Sequence, residues 1–171
     1  MLELHDILRA STIKRFHIVN TTRAQTLAEH QYGVSVLAGE IAGRMGMEGD
    51  RCMMVMVLAL YHDSAEAKTG DIPTPIKKTL RREVGAMFDN VLDQYDHPLL
   101  GYAEGDIKTI LKCADYLESM HFLSEHGLGR HADAVMSDIL DDALTYFATA
   151  GRPGEIANQI WSELQNAVYT I

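Results

Sequence analysis

Six residues of this 171-residue chain form a pattern suited to chemistry on a phosphate ester: His30, His62, Asp63, Asp115, Glu66 and Asp71. Two neutral imidazoles and two carboxylates (His30, His62, Asp63 and Asp115) make a donor set for Zn²⁺, Co²⁺, Mn²⁺ or Fe²⁺. Such a set leaves coordination positions open for water and a phosphoryl oxygen. A divalent cation there polarises the phosphoryl group and brings the pKa of water from about 15.7 towards roughly 7. Glu66 lies about one helical turn beyond His62 and Asp63, beside such an ion without having to ligate it, where it would orient or deprotonate the attacking water. Lys112, one turn before Asp115, and the pair Lys77 and Lys78 are cations suited to phosphate oxygens, the lysine pair reading equally well as a solvated helix start.

Singly, each feature has an ordinary explanation. A lone inward histidine is more often a hydrogen-bonded core residue than a ligand. Asp63 would serve as a counter-charge at a helix end, and Asp115 as an ion-pair partner of Lys112. Their joint placement on inward faces turns the reading toward a metal site. Thr26-Leu27-Ala28-Glu29 is a capping box opening a helix that runs to about Gly46. The apolar stripe Val34, Leu37, Ala38, Ile41 and Met45 has His30 on it, one turn before Val34. From about Asp50 to Lys68 the chain is apolar nearly all round, which predicts a central helix packed on several sides and ending in His62, Asp63 and Glu66. In a helix over 104–126 the stripe Ile107, Leu111 continues at four-residue steps into Asp115, a buried carboxylate that must be compensated. Between them, Thr69 to Pro75 is turn chemistry. Amphipathic stretches from Ile76 to Tyr95, Val135 to Phe147 and Ile156 to Leu164 complete an all-α fold, expected as one domain over 1–171.

The net charge of -9 excludes a broad basic face for a nucleic-acid polymer but not a few cations converging on a small phosphate ligand. Cys52 and Cys113 sit in apolar runs and form no C-x-x-C, as expected of buried thiols in a reducing compartment. The charged N-terminus MLELHDILRA has no secretory core, and the apolar run Met53 to Leu60 is too short to span a bilayer, so a soluble cytoplasmic protein is expected. His5, His17, His97, His121, His126 and His131 lack the joint context of the other two histidines and read as surface or packing residues.

The order His30, His62-Asp63, Asp115 resembles the H…HD…D signature of the HD-domain phosphohydrolase superfamily. The run His62-Asp63-Ser64-Ala65-Glu66-Ala67-Lys68-Thr69-Gly70-Asp71-Ile72-Pro73-Thr74-Pro75 resembles the YfbR-type 5′-deoxynucleotidases, as do Lys14-Arg15-Phe16 and Glu29-His30. Arg15-Phe16-His17-Ile18 and the short length are more similar still to the phage dATP triphosphohydrolases of the DatZ type. The resemblance covers roughly residues 10 to 120. It implies an HD-type helical bundle, a homo-oligomer and a deoxynucleotide substrate. For Asp71 it implies a second acid that protonates the leaving 5′ oxygen or holds the sugar. Arg15 is implied as a phosphate ligand, Phe16 as a stacking ring where the deoxynucleotidases carry tryptophan, and Ile18 as a wall favouring adenine over a base with a further exocyclic amine. The activity so implied is cleavage of dATP to deoxyadenosine and triphosphate. The alternatives are a 5′-deoxynucleotidase acting on monophosphates and, from another class, a non-catalytic nucleotide-binding sensor.

Overall fold

The computed structural model describes residues 2–167. In chain order it has α1 (Leu4–Leu8), a 3-10 turn (Arg9–Thr12), strands β1 (Lys14–Arg15) and β2 (Gln25–Thr26), α2 (Leu27–Arg44), α3 (Gly49–Ala59), α4 (Glu66–Thr69), α5 (Thr74–Val84), α6 (Ala86–Asp93), a second 3-10 turn (Pro98–Tyr102), α7 (Asp106–His126), α8 (Gly129–Thr149) and α9 (Arg152–Asn166). The expected all-α class is what forms. The strands are a two-residue antiparallel clip pairing Lys14 with Thr26 and Arg15 with Gln25, too short to leave an alternating signature.

α2 begins where its capping box lies: Thr26 Oγ1 accepts from the Glu29 amide at 3.2 Å, and the Glu29 carboxylate accepts from the Thr26 amide at 2.7 Å. α2 packs against α3 and α7, while α8 and α9 pack against α7 and each other, α9 also reaching α2. The shared core holds Val34 and Ile41 of α2, Leu58 of α3, Ile110 and Leu117 of α7, and Ile156 of α9, all essentially inaccessible to water. Truncating such a side chain costs about 2–5 kcal/mol. This frame places His30, at the start of α2, opposite Asp115, in the middle of α7.

Three expectations are corrected. The helix from Asp50 to Lys68 stops at Ala59, and residues 60–65 form turns held by bonds from an amide to the third carbonyl back, as in Tyr61 to Leu58 and Ser64 to Tyr61. Such tightening inside a helical run often marks a functional segment, and this one carries His62 and Asp63. Nor is α3 packed on several sides: only Val55, Leu58 and Ala59 are buried, while Met53 is 60% exposed and Met56, Val57 and Leu60 about 40%. The stretch from Ile76 to Tyr95 is two helices, broken at Gly85, whose φ of 50° is a conformation that glycine adopts without strain. Neither α5 nor α6 buries a residue fully, so their apolar stripe is not domain core.

A buried tie anchors the turn that carries the acids. Asp6 of α1, 1% exposed, receives Lys68 of α4 at 2.6 Å, and this lysine holds the Asp6 carboxyl below its ordinary pKa.

Candidate metal centre

His30 on α2, His62 and Asp63 on the turns after α3, and Asp115 on α7 each present one ligand atom, all within 4.8 Å of one another. His30 Nε2 stands 3.6 Å from Asp63 Oδ2 and 3.4 Å from Asp115 Oδ1, and His62 Nε2 stands 3.3 Å from Asp63 Oδ2. Ligands held tetrahedrally at about 2.0–2.1 Å from a zinc ion are about 3.3 Å apart, so the cluster already has the spacing of a coordination shell. Both imidazole Nε2 atoms are buried without a hydrogen-bond partner. Buried polar nitrogens are rarely left so, and a cation between them and the carboxylates answers both. The donor set and the geometry therefore fit a divalent transition metal.

Electrostatics agree. Burial and the Arg15 charge disfavour a cationic His30, yet Asp115, Asp63 and Glu118 outweigh them and raise it to about 10: the carboxylates attract a positive charge to the point where His30 and His62 meet. Asp63 and Asp115 are both held well below the usual carboxylate range despite burial, Asp63 chiefly by His62 and Asp115 chiefly by Lys112.

Around the cluster the other expected residues take distinct places. Arg15, delivered by β1, donates to Asp63 Oδ2 at 2.9 Å and lies 4.0 Å from Glu66 Oε2. Lys77 of α5 donates to Glu66 Oε1 at 2.7 Å. Lys112 donates to Asp115 Oδ2 at 2.8 Å and lies over the Tyr116 ring; the ordinary ion pair and the cluster coexist. Lys78 is not brought to the cluster, pairing at 2.6 Å with Asp142 of α8. Glu66 is 5% exposed, and its Oε2 has no hydrogen-bond partner. Burial and the Asp63 charge raise its pKa to about 7 against the pull of Lys77 and Arg15. A carboxylate with a free buried oxygen beside a cation site, and a proton affinity near neutrality, has the properties of a general base.

Two clefts flank the cluster. The larger, about 310 Å³, is walled by Arg15, Phe16, Ile18 and Asp71, by Pro73 and Pro75, and by the α8 residues His131, Val135, Asp138 and Asp142. It is at the small end of ligand-site volumes. Phe16 adopts φ 50°, alone among the described non-glycine residues, and its ring stacks parallel on Phe122 at 5.5 Å. A left-handed bulky residue costs about 1–3 kcal/mol; here it turns Arg15 toward Asp63 while the neighbouring Ile18 faces the cleft. The smaller cleft, about 190 Å³, is lined by His62, Asp63, Glu66, Lys77 and Arg81, with Asp89, Asp93 and Asp96 on its outer wall.

Sequence reasoning missed several contributors. His17, 3.7 Å from Asp71, and His131 border the large cleft although both read as surface residues, because no periodic pattern links a loop and a distant helix. Glu118 was missed as well: it sits one turn beyond Asp115 and binds His30 Nδ1, and only the three-residue spacing on α7 could have drawn attention to it.

Comparison with known proteins places the geometry. The family described as 5′-deoxynucleotidase YfbR-like matches residues 4–136. The dATP triphosphohydrolase of Salmonella phage PMBT28 is 34% identical, the match covering 94% of this chain and 87% of that protein. That of Cyanophage S-2L is 35% identical over 76% of this chain and 74% of the phage protein. The 5′-deoxynucleotidase of Cronobacter sakazakii is 29% identical over 68% of this chain and 70% of its own length. Among solved structures, the Cyanophage S-2L HD phosphohydrolase DatZ, bound to dA and one catalytic Zn²⁺ ion, superposes with a TM-score of 0.83 at 25% identity, covering 98% of this chain and 99% of that one. No described helix is long and apolar enough to cross a membrane.

Proposed function

From a chain that belongs to the YfbR-like 5′-deoxynucleotidase family, and from the cluster just described, we propose a metal-dependent phosphohydrolase that cleaves dATP to deoxyadenosine and triphosphate. The observation that carries the reading is the pair of buried imidazole nitrogens without hydrogen-bond partners, clustered with the Asp63 and Asp115 carboxylates at the spacing of ligands to one ion, with the free oxygen of Glu66 also buried. When bound by His30, His62, Asp63 and Asp115, the cation supplies Lewis-acid polarisation of a phosphoryl oxygen and acidifies water.

The chain's own groups then divide the work. The large cleft takes the deoxynucleoside, with Phe16, Ile18, Pro73 and Pro75 against the base and sugar, and Asp71 beside the departing 5′ oxygen. Arg15 spans cleft and cluster and holds the reacting phosphate with a planar guanidinium. Glu66 takes the proton of the attacking water on its free Oε2, and Lys77 holds the other oxygen, Oε1, in an ion pair. The small cleft, beyond the cluster, receives the outer phosphates against Lys77 and Arg81, and Lys112 holds a cation at Asp115. Asp89, Asp93 and Asp96 oppose a bare polyphosphate there, so the charge balance calls for the substrate's own divalent counter-ion. Lys78 serves the rim of the nucleoside cleft through Asp142 rather than a phosphate. A non-catalytic sensor would have no use for a buried carboxylate oxygen without a partner.

The preference for dATP follows the phage relatives, the monophosphate reading the bacterial ones. Initial rates with dATP, dGTP and dAMP under restored Zn²⁺, Co²⁺ or Mn²⁺ separate them: dATP should be turned over fastest, whereas turnover of dAMP alone would assign the chain to monophosphate chemistry. Ile18 is 55% exposed at the cleft wall. Ile18→Ala is expected to raise dGTP turnover relative to dATP by about 10-fold, the scale on which apolar pocket contacts discriminate; an unchanged ratio in competition assays would remove Ile18 from base selection.

The chain acts as one domain, expected over 1–171, of which residue 1 and residues 168–171 lie outside the described residues, and its oligomer is a homo-oligomer joined through α3. Met53, Val57 and Leu60 follow one another at helical spacing, with Met56 alongside, and Tyr32 and Val36 are exposed on the adjoining α2; exposed apolar area of this kind marks an interface. Val57→Asp should shift the species seen in sedimentation velocity to the monomer while leaving zinc content unchanged. An unchanged sedimentation coefficient would leave the α5–α6 stripe, with Ile76, Met87 and Val91 exposed, as the joining face.

A further inference from the structure

We infer that Glu118 is the positioning residue that fixes His30 as a metal ligand, and that Gln25 and Gly33 exist at their positions to hold Glu118 in place. The inference rests on the cluster holding a metal and goes beyond the ligand set to what orients it.

Neutral histidine has one N–H and one lone pair, and whichever nitrogen keeps the proton cannot bind a cation. Glu118 Oε2 is hydrogen-bonded to His30 Nδ1. With the proton held there, the lone pair of Nε2 faces Asp63 and Asp115, and the carboxylate raises the basicity of the ring. Glu118 follows Asp115 by three residues on α7, so the two acids share one face and address the two nitrogens of the same ring. His62 is oriented differently, its Nδ1 lying 2.7 Å from the Ala59 carbonyl. Of the two histidines in the cluster, only His30 has a carboxylate on its Nδ1.

Two further features serve Glu118. Its other oxygen accepts from Gln25 Nε2, and Gln25 is 2% exposed on β2. Gln25 pairs across the strand clip with Arg15, whose guanidinium binds Asp63, so one two-residue clip braces the cluster from both ends. Gly33, one turn beyond His30 on α2, has no side chain where Glu118 passes: a Cβ there would lie 2.7 Å from Glu118 Cγ and 3.2 Å from Oε1. Any other residue there would require Glu118 to shift from its present position.

The test is metal affinity, read without substrate. The chelator-stripped full-length protein and its variants Glu118→Gln, Glu118→Ala and Gly33→Ala are titrated with Co²⁺ by visible absorption and with Zn²⁺ against a competing indicator, with circular dichroism as the check on folding. The expected order is graded: dissociation constants about 10- to 100-fold weaker for Glu118→Ala and Gly33→Ala, the range for lost partners of ligating groups. A smaller loss is expected for Glu118→Gln, which keeps an acceptor but not the charge, with a changed Co²⁺ spectrum in all three. Folded variants that bind both ions within twofold of the parent, with superimposable spectra, would overturn the assignment while leaving the metal site standing. Failure of the parent protein itself to bind either ion would overturn the metal reading and this inference together. Should a Glu118 variant fail to fold, Gly33→Ala, which keeps every polar group, decides alone.

Discussion

Asp63→Ala is expected to lower dATP hydrolysis by at least about 10³-fold and to leave the purified protein without bound metal. Asp63 Oδ2 is the most shared atom of the site, 2.9 Å from Arg15, 3.3 Å from His62 Nε2 and 3.6 Å from His30 Nε2. Its removal deletes a ligand, and with it several kcal/mol of Lewis-acid stabilisation at about 1.4 kcal/mol per factor of ten. It also strips Arg15, whose side chain is 11% exposed, of its nearest counter-charge, so a stability loss of about 3 kcal/mol accompanies the loss of metal. Asp63→Asn, which keeps the shape and one acceptor, separates the two effects: metal content and rate should fall nearly as far, while the melting temperature recovers part of the alanine loss. Metal analysis, initial rates and thermal unfolding on the same preparations check this; full zinc occupancy in Asp63→Ala would place the ligand set elsewhere.

Glu66→Gln should leave zinc content intact and cost about 10²- to 10⁴-fold in kcat, the range for a lost general base. The pH profile gives a sharper reading. Burial and the Asp63 charge raise the Glu66 pKa to about 7, and a base works only when ionised, so the rate must rise as pH climbs through that value. A divalent cation nearby favours the carboxylate, which moves the limb below pH 7 in the metal-loaded enzyme. The variant should lose the limb altogether. A Glu66→Gln enzyme that retained both its rate and the acidic limb would show that the water is activated without this side chain.

Much of the site was legible in the amino-acid sequence because its members sit on periodic elements. His30 and Asp115 each interrupt an apolar stripe, and a polar residue on a buried face announces itself. The capping box of Thr26 and Glu29 set the start of α2, and so the angular position of His30, without any tertiary information. The break after Ala59 was not legible, since Leu60, Tyr61 and the residues after them continue the apolar and helix-compatible composition of α3; it is the need to bring His62 and Asp63 against His30 that wins over local propensity. The exposed side of α3 was hidden for the opposite reason. An apolar residue reads as buried whether its partner is the same chain or another, and Met53 and Val57 look the same in either case. The large cleft draws on the Phe16 turn, the Pro73–Pro75 loop and α8, which are brought together only by the packing of α7 against α8. Glu118 was hidden because a single glutamate in a long amphipathic helix is ordinarily a solvent-facing residue.

The proposed reaction is attack by water at the α-phosphorus of dATP with release of the intact triphosphate. The most direct measurement is phosphorus NMR of the zinc-loaded enzyme turning over dATP in water enriched with oxygen-18, with nucleoside products resolved by chromatography in parallel. Deoxyadenosine and triphosphate, with the label confined to the triphosphate's end phosphorus, is the result expected of a nucleoside cleft on one side of the cluster and a cation-lined cleft on the other. Stepwise appearance of dADP and labelled inorganic phosphate would contradict it, because the γ-phosphorus would then have to occupy the place assigned here to the α.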